Sequence, residues 1–124
     1  MTTKTTTARS LPSCAPAIKA IRLVILESPY AGDIYRNTAY ARACLRDSLK
    51  RGEAPMASHL LYTGALSDRD VGEREIGIEA GLAWGRVADA TVVYTDFGIS
   101  DGMQFGIDRA NYEGRTVEFR RIHE

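Results

Sequence analysis

The chain has 124 residues, enough for one domain with a buried core, and its sixteen basic side chains balance sixteen acidic ones. That balance argues against a nucleic-acid partner, and no apolar run reaches the roughly 18 residues of a membrane-spanning helix. Cys14 and Cys44 lack metal-ligand spacing and His59 and His123 are the only histidines, so no disulfide framework, metal centre or cofactor is expected and a reduced, cytoplasmic setting fits.

Residues 1–17 open with the low-complexity run Met1-Thr2-Thr3-Lys4-Thr5-Thr6-Thr7 and continue through Pro12 and Pro16. This stretch lacks the apolar centre of a signal peptide and reads as a mobile tail. Residues 18–124 then form the domain. Ile21–Leu26 is aliphatic and β-branched, as a buried strand should be, and it runs into Glu27-Ser28-Pro29-Tyr30-Ala31-Gly32-Asp33, where Pro29 and Gly32 turn the chain. A helical pattern follows from Ile34 through Tyr40, Ala41, Cys44, Leu45, Ser48 and Leu49, and Lys50-Arg51-Gly52 ends it. A second strand is expected from Met56 to Leu61, after the break at Pro55. Val71, Ile76, Ile78, Gly81, Leu82, Trp84 and Val87 mark a second helix, capped by Asp68 or Asp70. Ala90–Thr95 is the clearest strand, the helix after Gly102 stops near Glu113-Gly114, and Thr116–Phe119 is a short strand at a sheet edge. Alternation of strands and helices implies an α/β fold with parallel strands and right-handed crossovers.

Two strand-to-helix loops carry the candidate chemistry. After the strand ending at Tyr94, the loop holds Gly98, Ser100 and Gly102; free backbone N–H groups at the next helix start suit an anion, and a nucleotide phosphate is the natural guess. Ser100 is equally suited to be a helix N-cap. In the first loop, Tyr30 could stack on a base, and Asp33 and Asn37, one helical turn apart, could hold a ribose; Asp33 could equally cap the helix. His59 titrates near neutrality, although a lone histidine is more often structural. Asp96 and Asp101 flank the glycine loop and could act on a sugar or as a base. Arg69, Arg74 and Glu79 belong to a charged helix face, from which an arginine could reach a phosphate.

Taken in order, Ser28-Pro29-Tyr30 with Gly32 and Asn37, Pro55-x-x-x-His59, Asp89-x-x-Val92-Val93 and Gly98-x-Ser100-x-Gly102-Met103 resemble the nucleoside 2-deoxyribosyltransferase-like superfamily. That superfamily includes nucleotide N-glycosidases acting on 2′-deoxynucleoside and pyrimidine monophosphates. The chain also resembles small phage and bacterial proteins related to it, over about residues 20–120. The resemblance implies a flavodoxin-like (Rossmann-like), compact three-layer parallel sheet of about five strands. It implies a homodimer or higher homo-oligomer in which a subunit can help complete its neighbour's pocket. It places Ser28 to Gly32 beside the sugar and base, assigns Asp89 to the aspartate before the following strand, and gives Ser100 and Gly102, with Gly98 and Met103 beside them, the 5′-phosphate.

One departure matters. Catalytic members carry a nucleophilic glutamate four residues after the glycine, and here that position is Gly106. Asp108 is two residues on, about 200° around a helix, and should face elsewhere. Because the cleavage transition state carries positive charge on the sugar, a carboxylate is required. The leading expectation is therefore a nucleotide- or nucleoside-binding protein with its usual glutamate lost. The alternatives are an N-glycosidase or transferase with a relocated carboxylate (Glu27, Asp96 or Glu79), or a non-catalytic sponge for a nucleotide signal in phage–host conflict, acting in the host cytoplasm.

Overall fold

The computed structural model describes residues 20–123; the tail expected over residues 1–17 lies outside them. Strand β1 (Arg22–Glu27) leads into helix α1 (Ile34–Lys50), then strand β2 (Glu53–Met56). A short helix α2 (Ser58–Leu61) and a 3₁₀ turn (Tyr62–Gly64) precede helix α3 (Val71–Trp84). Strand β3 (Ala90–Tyr94), helix α4 (Asp101–Tyr112) and strand β4 (Thr116–Arg120) complete the order. The sheet runs β2-β1-β3-β4 with every pairing parallel. From β1 the chain moves to one side and from β3 to the other, so the loops leaving these two neighbours diverge over a crevice at the carboxyl edge.

The α/β class and parallel sheet agree with the sequence, with two differences. The sheet has four strands among the described residues instead of about five. The second strand also ends where it was expected to begin: Glu53–Met56 pairs with β1, and Ser58–Leu61 is helical. Pro55 does not break the strand because β2 is an edge, where a missing N–H is tolerated.

Side chains alternate across the sheet and define two unlike faces. Val24, Leu26, Val92 and Tyr94 meet Tyr40 and Cys44 of α1 in the larger core cluster. On the other face Val93 packs on Met103 and Ile107 of α4, with Val117 against them. Helix α3 contributes no buried residue. Of the stripe that marks this helix, Val71, Ile76, Ile78 and Trp84 are exposed, while Gly77, Gly81 and Gly85 line a cavity. No helix among the described residues is long and apolar enough to cross a membrane.

Under α1 the sheet carries a charged network. The buried Arg120 guanidinium donates to Glu53 at 2.6 and 2.8 Å, and Glu53 also accepts from Ser48 at 2.8 Å. Arg22 bridges Glu53 and Glu118. The hydrogen bonds from Arg120, with those from Ser48 and the charge of Arg22, hold the Glu53 carboxyl down at about 2. Arg120→Met would strand Glu53 in a buried place, and we expect a loss of about 3–5 kcal/mol in urea unfolding at neutral pH. Because a depressed carboxyl stabilises only above its unfolded value of 4.5, the deficit should shrink as pH falls from there towards 2.

Candidate functional site

Between α3 and α4, over the β1 end of the sheet, lies a cavity of about 870 Å³. Its floor is Ile25 and Glu27, which point to this face because Leu26 between them points to the other. The β1–α1 loop contributes Ser28 and Tyr30, α2 contributes Ser58 and His59, and the start of α4 contributes Ser100, Gly102 and Met103.

Three helical glycines shape the wall. A Cβ at Gly106 would stand 2.5 Å from the Glu27 carboxyl carbon and 3.0 Å from its Oε1, with Oε2 nearer still. A Cβ at Gly81 would meet the Ser58 hydroxyl at 2.5 Å, and one at Gly85 would meet Nη2 of Arg115 at 2.9 Å. In each case the absent side chain is replaced by a polar group arriving from another element, and all three groups line the cavity. Gly102 and Gly106 are one turn apart on α4, as Gly77 and Gly81 are on α3 with Gly85 as its C-cap, so each set follows one helix face.

Burial raises the Glu27 carboxyl to about 8, the positive charge of Arg115 pulling partly the other way. Glu27 is therefore mostly uncharged at neutral pH. Burial also lowers His59 to about 4, leaving a neutral imidazole whose Nε2 shares a 2.7 Å hydrogen bond with the Ser28 hydroxyl. Ser100 is the N-cap of α4: its hydroxyl accepts from the Met103 N–H at 3.3 Å, while its own N–H points to the Met103 sulfur. Arg115 is held by Thr91 Oγ1 at 3.0 Å, the Gly85 carbonyl at 2.7 Å and Glu113 at 2.6 Å.

Of the residues singled out in the sequence, Glu27, Ser28, Tyr30, His59, Ser100, Asp101, Gly102 and Met103 meet at this cavity. Six others lie outside its lining. Asp96 accepts from the Tyr40 hydroxyl and from the backbone N–H groups of Ile122 and His123. Burial alone would raise its carboxyl, but these donors bring it down to about 2, so Asp96 clamps the chain after β4 and does not face the crevice. Asn37 is buried and donates to the carbonyls of Tyr30 and Ala31, fixing the loop that carries Tyr30. Asp33 caps α1 through the Arg36 N–H. Gly32 and Gly98 hold left-handed turns, with φ of +98° and +84°. Asp89 lies at the opposite edge of the sheet and accepts from the Leu23 N–H. Glu79 and Asp108 are exposed and also lie outside the lining. Arg74 lines the cavity and Arg69 does not. Sequence reasoning missed Ser58, Arg109 and Arg115; the signal available was the four-residue spacing of glycines inside two helices, where glycine is otherwise unfavourable.

The four-stranded parallel sheet with its flanking helices is an α/β fold that matches the nucleoside deoxyribosyltransferase-like, Rossmann-like fold. The structure of a 2-deoxyribosyltransferase from the psychrotolerant bacterium Bacillus psychrosaccharolyticus is similar, with a TM-score of 0.56 over 80% of this chain and 72% of that one, at 17% identity. Residues 22–120 match the model of a family described as a domain of unknown function, DUF7768, and the chain belongs to that family. Among curated proteins no match was found.

Two outcomes follow from the glycine wall and the buried acid. In a double-mutant cycle, Gly106→Ala should be better tolerated in a Glu27→Ala background than in the parent by about 1 kcal/mol or more, whereas additive effects would mean the two positions do not meet. The folded protein keeps a proton on Glu27 that the unfolded chain releases above 4.5, so the Glu27 contribution to stability falls as pH rises from there to about 8. Glu27→Gln should remove that decline, measured as the unfolding free energy across the same window.

Proposed function

We propose that the cavity between α3 and α4 binds a nucleoside or nucleotide and that Glu27 serves as the carboxylate for cleavage of its base–sugar bond. The observation that carries this reading is the meeting of Glu27 with Gly106. The resemblance implies a catalytic glutamate at that position of the helix, and the Glu27 carboxyl, arriving from the end of β1, stands where the Cβ of such a residue would be. On this reading a carboxyl from the sheet takes over from the glutamate expected on α4.

Cleavage breaks the bond between C1′ and the base nitrogen and forms one from C1′ to oxygen, either of water or of the carboxylate. The departing base takes up a proton. An ionised Glu27 at the cavity floor would face the positive charge that develops on the sugar. Ser100 and the free N–H groups at the start of α4 suit a 5′-phosphate, and Tyr30 lines the same carboxyl-edge end of the cavity. Ser28 and His59 offer a hydrogen-bonding pair. The exposed apolar side chains of α3 support assembly into a homo-oligomer.

The protonation of Glu27 favours a second reading, in which the protein retains a nucleotide without cleaving it, as a sponge would. One experiment separates the two. Nucleosides and nucleoside monophosphates that raise the thermal midpoint are incubated with the protein, and free base is measured by chromatography. Turnover should appear with kcat/KM rising towards a midpoint near pH 8. Glu27→Gln should lower kcat by roughly 10²–10⁴-fold and leave the thermal shift in place. Ligands recovered intact at every pH would leave retention as the function, and no thermal shift from any nucleoside or nucleotide would remove both readings.

A further inference from the structure

The cavity has two unlike ends. At the carboxyl edge of the sheet stand Ser100 and Gly102. At the other end, where β4 begins, stands Arg115, with Arg109 on α4 beside it. Seven residues separate Gly102 from Arg109, about 10 Å of helix, with Gly106 and Glu27 between them. A ligand with its phosphate at the first end and its sugar over Glu27 would therefore direct its base towards the arginines.

Arg115 is built into this end. Its side chain is 7% exposed. Nε donates to Thr91 Oγ1, and Nη1 donates to the Gly85 carbonyl and to Glu113. Among the described residues Nη2 has no hydrogen-bond acceptor, although a guanidinium carries two N–H groups there. Gly85 makes room for that nitrogen, since a Cβ would lie 2.9 Å from it. A buried charged donor without an acceptor is costly, and none of the described residues supplies one. Arg109 is held more loosely, at 3.5 Å from Glu113.

We propose that Arg115 is a specificity residue that reads the base of the bound nucleotide by donating from Nη2 to an oxygen on the base edge. The proposal rests on the nucleotide reading above and narrows its substrate class. Arginine donates and cannot accept. Bases with a carbonyl at C4 of a pyrimidine or C6 of a purine, namely uracil, thymine, guanine and hypoxanthine, therefore satisfy it there, while the exocyclic amino group that cytosine and adenine carry at that position repels it. Cytosine and adenine nucleotides are the disfavoured members.

The test compares affinities by calorimetry for uridine monophosphate, cytidine monophosphate and ribose 5-phosphate. The parent protein should bind uridine monophosphate about tenfold or more tighter than cytidine monophosphate. In Arg115→Met that preference should collapse towards unity, with the affinity for ribose 5-phosphate unchanged. Gly85→Ala keeps the arginine but pushes on its Nη2, and should reduce the preference in the same way; it serves where Arg115→Met does not fold. A preference that survives both variants, or that survives Gly85→Ala where Arg115→Met does not fold, overturns the proposal and leaves the nucleotide reading intact. A parent that binds both nucleotides equally also overturns it. Failure of all three ligands to bind overturns the proposal, and the nucleotide reading falls with it only if no other nucleoside or nucleotide raises the thermal midpoint.

Discussion

The geometry of this cavity depends on close approach between helix and polar side chain at positions where the helix has no Cβ. An ordinary residue at 81, 85 or 106 would force Ser58, Arg115 or Glu27 to move. Glycine in a helix interior is unfavourable by roughly 1 kcal/mol relative to alanine, and the interior glycines Gly77, Gly81, Gly102 and Gly106 line one space. The result is a wall that is smooth on its helical side and chemically varied on its floor, because its functional groups come from β1, α2 and the start of β4.

The two faces of the sheet divide the work of stability and the work of the site. Under α1 the packing is complete: aliphatic side chains and Tyr40 fill the layer, and the charged network around Glu53 and Arg120 is closed by mutual hydrogen bonds. On the other face α4 is anchored by Met103 and Ile107, while α3 buries nothing and stands off from β1. The space between them holds an acid and an imidazole that burial has driven to their uncharged forms. Their effects on stability oppose each other. His59 weakens the fold as pH falls from 6.5 towards 4, and Glu27 weakens it as pH rises from 4.5 towards 8.

Much of the fold could be read from local patterns. The aliphatic runs of β1 and β3 and the caps of α1 and α4 are strong signals, since each depends on residues near one another in the chain. The second strand was displaced because Pro55 looks like a break and is tolerated only through its edge position, which sequence does not reveal. For the site, the two loops were legible, but the use of their polar residues was not. Asp33, Asn37 and Asp96 have the chemistry of ligand contacts, yet their partners are backbone groups up to 27 residues away. Arg115 was invisible because nothing local distinguishes it; its place is set by Gly85 across the fold.

The meeting of Glu27 with Gly106 also bears on how such a site can change over time. One small volume can be filled from the strand or from the helix, and not from both. Shortening one side chain opens the position for the other, so substitutions at 27 and 106 are conditional on each other and follow a fixed order. An intermediate with two small residues passes through a vacancy, whereas two large ones cannot coexist. One small volume thus ties the residue tolerated at 27 to the residue tolerated at 106, although the two stand 79 positions apart in the chain numbering.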